Sequence, residues 1–222
     1  MKRLLLIAIT LFITTHSYCQ KGRQVTTIYR GDWYISGGLA FTSENRNINN
    51  IDRSPESKTF GYSVSPKFGY FFNDNLAAGF GGSITHNDNE NFNGTNFTYN
   101  KKYNSYSVFA FLKKFFNVDK KLLFSLQGEL RYSHITKKIE SIQTFPSDYS
   151  ITNNISDIYE LGVRPGITFF LAKNIAFEAS FGFLTYNIAS TTSDNPYQEI
   201  TSNNFDLDFN SENLVFGLAI FL

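Results

Sequence analysis

Apolar and polar residues alternate along most of this chain, in blocks separated by polar stretches. Between Leu122 and Lys137, Phe124, Leu126, Leu130 and Tyr132 share one parity, and Ser125, Gln127, Glu129, Arg131 and Ser133 share the other. A period of two puts successive side chains on opposite faces of a β-strand. The same reading sets Tyr159, Leu161, Val163, Ile167 and Phe169 against Glu160, Arg164 and Thr168, and Ile175, Phe177, Ala179, Phe181 and Phe183 against Glu178, Ser180 and Tyr186. The chain closes on Leu214, Phe216, Leu218, Ile220 and Leu222. Eight extended segments are predicted: Asp32 to Ser43, Thr59 to Phe72, Leu76 to Asn87, Lys102 to Phe116, Leu122 to Lys137, Asp157 to Leu171, Ile175 to Ala189, and Ser211 to Leu222.

The connections follow a rule. Short turns at Asn73 to Asn75, Asn117 to Lys121 and Ala172 to Asn174 alternate with long polar stretches at Glu44 to Lys58, Asp88 to Lys101, Lys138 to Ser156 and Ser190 to Asn210. Soluble domains seldom carry four unstructured loops of this length. Up-and-down transmembrane barrels carry short turns on one rim and long loops on the other, with an even number of antiparallel strands. The expected fold is therefore an all-β, eight-stranded, up-and-down antiparallel transmembrane barrel with four long outer loops and three short periplasmic turns.

Parity then assigns the two sides of the wall. Apolar faces about ten residues long match a tilted crossing of hydrocarbon, so Phe124, Leu126, Leu161, Phe177, Phe181 and Phe216 are expected to face lipid. Lys67, Lys113, Glu129, Arg131, Glu160, Arg164 and Glu178 fall on the opposite face, among small residues such as Ser63, Ser65, Gly79, Gly81 and Ser83. An eight-stranded barrel is about filled by its inward side chains, so these charges are expected to pair and to plug the lumen. The alternative is a solvated strand face in an antiparallel sandwich or a soluble, lipocalin-like barrel.

One hairpin is spelled twice: Pro66 leads to Phe71-Phe72, a turn asparagine and Leu76-Ala77, and Pro165 leads to Phe169-Phe170, Asn174 and Ile175-Ala176. A proline within a strand forfeits a ladder hydrogen bond unless it sits at a bulge. Pro66 and Pro165 are each expected to mark a bulge near the periplasmic rim.

Composition and the amino terminus narrow the class. Met1-Lys2-Arg3, the apolar run Leu4 to Thr14 and Ser17-Tyr18-Cys19 read as a cleaved signal peptide over 1–19. A polar periplasmic lead-in (20–31) and one barrel domain (32–222) follow. Cleavage after Cys19 removes the only cysteine, so no disulfide is expected. The chain holds 24 Phe, 13 Tyr and 15 Gly, and no long apolar run after residue 19, which excludes a helical membrane protein. A net charge of +1 argues against nucleic-acid binding.

The run Ser65-Pro66-Lys67-Phe68-Gly69-Tyr70-Phe71-Phe72-Asn73-Asp74-Asn75-Leu76-Ala77-Ala78-Gly79 resembles the hairpin of the small, porin-like outer membrane β-barrel family of Gram-negative bacteria. Phe111-Leu112-Lys113-Lys114-Phe115-Phe116 is similar to that family's fourth-strand aromatic-basic segment. The ending Phe216 to Leu222 looks like the terminal strand read by barrel-assembly machinery, with Leu222 where an aromatic residue is usual. The resemblance implies an outer membrane location and a fold, and no single activity.

Candidate chemistry is sparse. His86 and His134 fall on the outward parity near the loop ends, with Asp88 and Ser133 close in sequence. Lipid A-modifying barrels use a His and a Ser on that side, but Ser133, adjacent to His134, should point the other way. No catalytic residue is assigned. Asp88, Glu90 and Asp157 match no calcium loop and no zinc pattern is present, so neither metal nor cofactor is expected. Phe92, Phe97, Tyr99, Phe145, Tyr149 and Tyr197 sit among amides in the long loops, a mixture suited to partner contact or to packing over the barrel mouth. The expected role is structural or adhesive, as a monomer contacting outer membrane lipids, the assembly machinery during biogenesis, and a surface protein or glycan. A small porin and a lipid A-modifying enzyme are the alternatives.

Overall fold

In the computed structural model, the described residues are 27–47, 56–92, 97–143, 148–181, 183–194, 197–208 and 214–222. Residues 1–19, expected to be a signal peptide, and the first part of the expected lead-in lie outside them. Alternation of β-branched and aromatic residues with small polar ones suits a pleated wall. It produces ten strands: β1 (Trp33–Asn47), β2 (Glu56–Asn73), β3 (Leu76–Phe92), β4 (Phe97–Asn117), β5 (Leu122–Gln143), β6 (Asp148–Phe170), β7 (Ile175–Ser180), β8 (Phe183–Asp194), β9 (Tyr197–Asp208) and β10 (Val215–Phe221).

The strands β1 to β6 pair consecutively and antiparallel. β6 then pairs with β7 along its base and with β8 along its upper half. β7 pairs with β10, and β10 returns to β1 over Tyr34↔Phe221 to Leu39↔Phe216, which closes a ring of eight. Above Leu39, β1 pairs with β2 alone and β9 with β8 alone, among the described residues.

The short turns lock the base of this ring. Asn75 takes φ 56°, the left-handed conformation that asparagine tolerates. Its carbonyl accepts from Phe115 N at 2.8 Å, and in the second copy of the hairpin the Asn174 carbonyl accepts from Phe221 N at 2.9 Å. The repeat therefore encodes a join between each hairpin and the strand beside it.

Three sequence expectations are corrected. The long polar stretches are mostly strand: β5 has 22 residues and β6 has 23, paired without a break from Leu122↔Phe169 to Gln143↔Asp148. Ser, Thr, Asn and Tyr continue the ladder that the membrane-embedded half begins, so the supposed loops stand up as hairpins. The seventh segment is not one strand. Gly166 faces Ser180 and Val163 faces Leu184, so the β7–β8 side carries one residue more than β6. The extra residue flips the parity above it, which turns Thr185 inward and Tyr186 outward. The third correction concerns the prolines. The bulge lies opposite Pro165, where Phe181 N donates to the Pro165 carbonyl at 3.2 Å. At Pro66 no residue is inserted, because Val64↔Ile84 and Lys67↔Gly81 keep one register across it.

Burial follows the inward parity. Phe80, Val108, Leu112, Leu130, Leu161 and Leu218 are exposed on the outer wall, as are Leu126, Phe177, Phe181 and Phe216, while Phe124 packs outside against Phe116 at 6.0 Å. Trp33 and Tyr70 mark the base of this apolar belt, their rings 5.0 Å apart, and Tyr62, Tyr106, Tyr132, Tyr159 and Tyr186 mark its top. A band between two aromatic girdles is the pattern of a wall that meets lipid. Inside, Tyr34, Phe71, Phe115, Leu123, Phe170 and Phe221 are buried together as an aromatic floor. Ile28 joins them from the lead-in, held by its N–H to Asn75 Oδ1 at 3.0 Å.

Room for the floor comes from β3. A Cβ at Gly79 would stand 2.1 Å from the Phe68 carbonyl and 2.7 Å from the Phe111 ring. At Gly37 it would meet nothing within 4 Å. Overpacking of this kind costs about 1 to 3 kcal/mol. Gly79→Val is expected to lower the urea midpoint of unfolding from lipid vesicles, read by the lone Trp33, and Gly37→Ala is expected to leave it unchanged.

Candidate functional site

The chemistry of this chain is concentrated in the lumen. Inward positions of β2, β4, β5, β6 and β7 bring together Lys67, Lys113, Glu129, Arg131, Glu160, Arg164 and Glu178, because the antiparallel registers stack these residues in the middle third of the wall. They form two clusters, one above the other.

The lower cluster sits directly on the aromatic floor. Lys113 Nζ donates to Glu178 Oε1 at 2.6 Å and to the Tyr34 hydroxyl at 3.1 Å. Tyr34 donates in turn to Glu178 Oε2 at 2.6 Å, Ser36 Oγ donates to the same oxygen at 3.1 Å, and Thr168 Oγ1 donates to Oε1 at 3.2 Å. The ammonium also lies over the rings of Phe115 and Tyr34, at 4.8 and 5.1 Å from their centroids. Each carboxylate oxygen of Glu178 thus accepts from two donors, which is what makes a buried carboxylate tolerable.

The upper cluster is looser. Glu129 accepts from Gln127 Nε2 at 2.8 Å and from Arg131 at 2.6 Å, and lies 3.5 Å from Arg164 Nε. Arg131 also donates to Ser83 Oγ at 3.2 Å and stacks over Phe109 at 4.3 Å, with Glu160 3.6 Å from its Nε. Lys67 makes no ion pair or side-chain hydrogen bond among the described residues. It borders a cavity of about 270 Å³ lined also by Ser63, Ser65, Ser83, Thr85, Arg131 and Arg164.

Tyr34, Ser36, Thr168 and Gln127 complete these clusters, and parity alone would have placed them inward; only their pairing with specific charges was not readable. The histidines lie elsewhere. His134 Nδ1 is 2.9 Å from Asp157 Oδ1, which also accepts from the Tyr132 hydroxyl at 2.7 Å, and His86 Nδ1 is 2.6 Å from Asn104 Oδ1. Both belong to the upper aromatic girdle. Ser133 points into the lumen and shares a 2.8 Å hydrogen bond with Ser107, so it cannot serve either histidine as a nucleophile. Among the described residues no cluster of three metal-ligating side chains occurs.

Removing one member of a buried pair leaves the other charge uncompensated, at a cost of about 3 to 5 kcal/mol, whereas replacing both with apolar residues restores much of it. Lys113→Met and Glu178→Leu are each expected to destabilise the barrel by that order in urea unfolding. The double variant is expected to recover at least half of the loss; an additive result would show that the two residues do not act as a pair.

No protein-family model matches the chain, and no curated protein matches it in sequence. Solved structures do. The outer membrane protein OprG from Pseudomonas aeruginosa superposes at a TM-score of 0.50, with 13% identity over 88% of this chain and 97% of that one. A major outer membrane protein of Thermus thermophilus gives 0.44 at 12% identity, over 86% and 99% of the two chains. Ail, the attachment invasion locus protein of Yersinia pestis, gives 0.36 at 16%, over 87% and 99%. The ring of eight, the inverted distribution of apolar side chains and the superposition on OprG agree: this chain has the fold of the small outer membrane β-barrel proteins.

Proposed function

We propose that this protein is exported by its amino-terminal signal peptide, inserts as a monomer in the outer membrane of a Gram-negative cell, and acts through the β-crown that its hairpins raise above the lipid. The carrying observation is strand length. A belt about 25 Å tall, crossed at about 40°, needs roughly ten residues per strand. β4, β5 and β6 have 21, 22 and 23. The surplus lies above the upper girdle, where the outward faces carry Lys138 and Glu140 in an exposed pair and Asn153 bonded to Asp194. A stiff, polar, aromatic-bearing projection suits contact with a surface protein or glycan.

The aromatic floor supports an interaction role over a porin. Tyr34 and Phe71 are fully buried, Phe115 nearly so, and the Tyr34 ring meets those of Phe71, Phe111 and Phe115 edge-on at 6.2 to 6.4 Å across the lumen. The inward orientation of Ser133 speaks against a lipid A hydrolase built on His134.

Three measurements test the reading. The purified barrel in a planar bilayer is expected to show no steady conductance, and Phe71→Ala with Phe115→Ala is expected to produce one. Leu161→Arg, which puts a cation on the outer wall, is expected to cost about 2 to 4 kcal/mol and to deplete the protein from the outer membrane fraction. Replacing Lys138 to Asn153 by an Asn-Gly turn is expected to leave a heat-modifiable barrel that has lost retention on surface-protein or glycan arrays. A wild-type pore, or a shortened crown with retention intact, would refute the corresponding half.

A further inference from the structure

The donors and acceptors facing the upper lumen do not balance. Around the cavity above the floor stand three cations, Lys67, Arg131 and Arg164, and one carboxylate, Glu129. That carboxylate already receives an amide and two guanidinium groups. Glu160, at 3.6 Å from Arg131 Nε, is beyond hydrogen-bond reach, and Arg131 Nε is shielded from solvent with no hydrogen-bond partner among the described residues. Lys67 contributes three N–H donors and, among the described residues, has no carboxylate within salt-bridge distance. Hydroxyls share the rest of the lining with Ala40, Phe109 and Val215: Ser63 and Thr85 share a 2.9 Å hydrogen bond, and Ser65 and Ser83 also border the cavity.

The route in from the crown has the same sign. Lys137, inward on β5, lies against Lys101, inward on β4; burial and the neighbouring Lys101 charge push its ammonium down from the ordinary lysine range. Two lysines held side by side at the mouth, above a layer in which three cations face the two carboxylates Glu129 and Glu160, leave a net positive charge that draws anions inward.

We propose that the upper lumen is a blind binding site for a phosphate group, held by Lys67 and Arg131 with hydroxyl support from Ser63, Ser65 and Ser83. Planar guanidinium and ammonium donors beside hydroxyls suit a tetrahedral oxyanion, which accepts from several directions at once. The aromatic floor stops the ligand from passing through, so the site retains what it binds. Retention alone rests on the closed floor of the proposed non-conducting barrel; a barrel that conducts and still binds phosphate would remove the floor and keep the site.

The test is titration of the full barrel in nanodiscs with inorganic phosphate, followed by calorimetry and by the phosphorus resonance of the ligand. Saturable binding is expected, weakened about tenfold or more by Lys67→Met, as the loss of a charge-assisted hydrogen bond requires, and largely kept by Lys67→Arg. Chloride at equal ionic strength is expected not to compete. A hexose phosphate in a second arm separates the sources: tighter binding than the free ion assigns the site to a phosphate carried on a larger molecule, and weaker binding assigns it to the free ion. Heat-shifted gel mobility checks that each variant is a closed barrel. Should Lys67→Met fail to close, Ser63→Ala with Ser65→Ala takes its place with the same expected direction. No saturable binding by the wild type, or equal binding by the charge-removed variant, overturns the proposal.

Discussion

The structure depends on keeping charge off the outer wall. A wall whose exposed side chains include Phe80, Val108, Leu112, Leu130, Leu161 and Leu218 is stable only against hydrocarbon, and hydrocarbon tolerates no ion there. Charges that an eight-stranded wall must carry within the belt therefore turn inward, into a lumen too narrow to hydrate them freely. Mutual pairing is the remaining solution. It explains why Glu178 collects donors from β1, β4 and β6 at once, and why Glu129 collects them from β5 and β6.

The two clusters resolve this constraint differently. Lys113 and Glu178 are sealed from below by Phe115 and Tyr34 and neutralise one another at short range, so they behave as part of the floor. Arg131 and Arg164 reach Glu129 at 2.6 and 3.5 Å and Glu160 stands 3.6 Å from Arg131, beside a cavity, a geometry that leaves Arg131 Nε without a hydrogen-bond partner and Lys67 without an ion pair among the described residues. One lumen thus has a structural half and a receptive half, divided at the height of Lys67.

Much of this was legible in the residues, since a period of two maps directly onto inside and outside. Lys113, Glu129 and Glu178 were assignable inward from parity alone, and their burial accords with that assignment. What parity could not show was where the period slips. One added residue opposite Pro165 reverses the faces of Thr185 and Tyr186; the proline signals an irregularity at that height, but nothing in the sequence says that the extra residue falls on the neighbouring strand. Nor could polarity distinguish a loop from a strand rising into water: Lys138 to Ser156 is rich in polar residues either way, and only pairing with a neighbour already in register makes it extended. Ile28 escaped notice because a lone apolar residue in a polar lead-in has no period to betray it.

The floor joins the two ends of the polypeptide. Ile28 and Tyr34 come from its beginning and Phe221 from its last turn of strand, and Glu178 finds Tyr34 across 144 positions of sequence. Contacts so distant along the chain carry a large loop-closure entropy cost. Until the final strand docks, an open sheet would present Glu178 and Lys113 to acyl chains without their partners. Pairing of β10 with β1 and β7 is therefore what holds this charge cluster away from hydrocarbon.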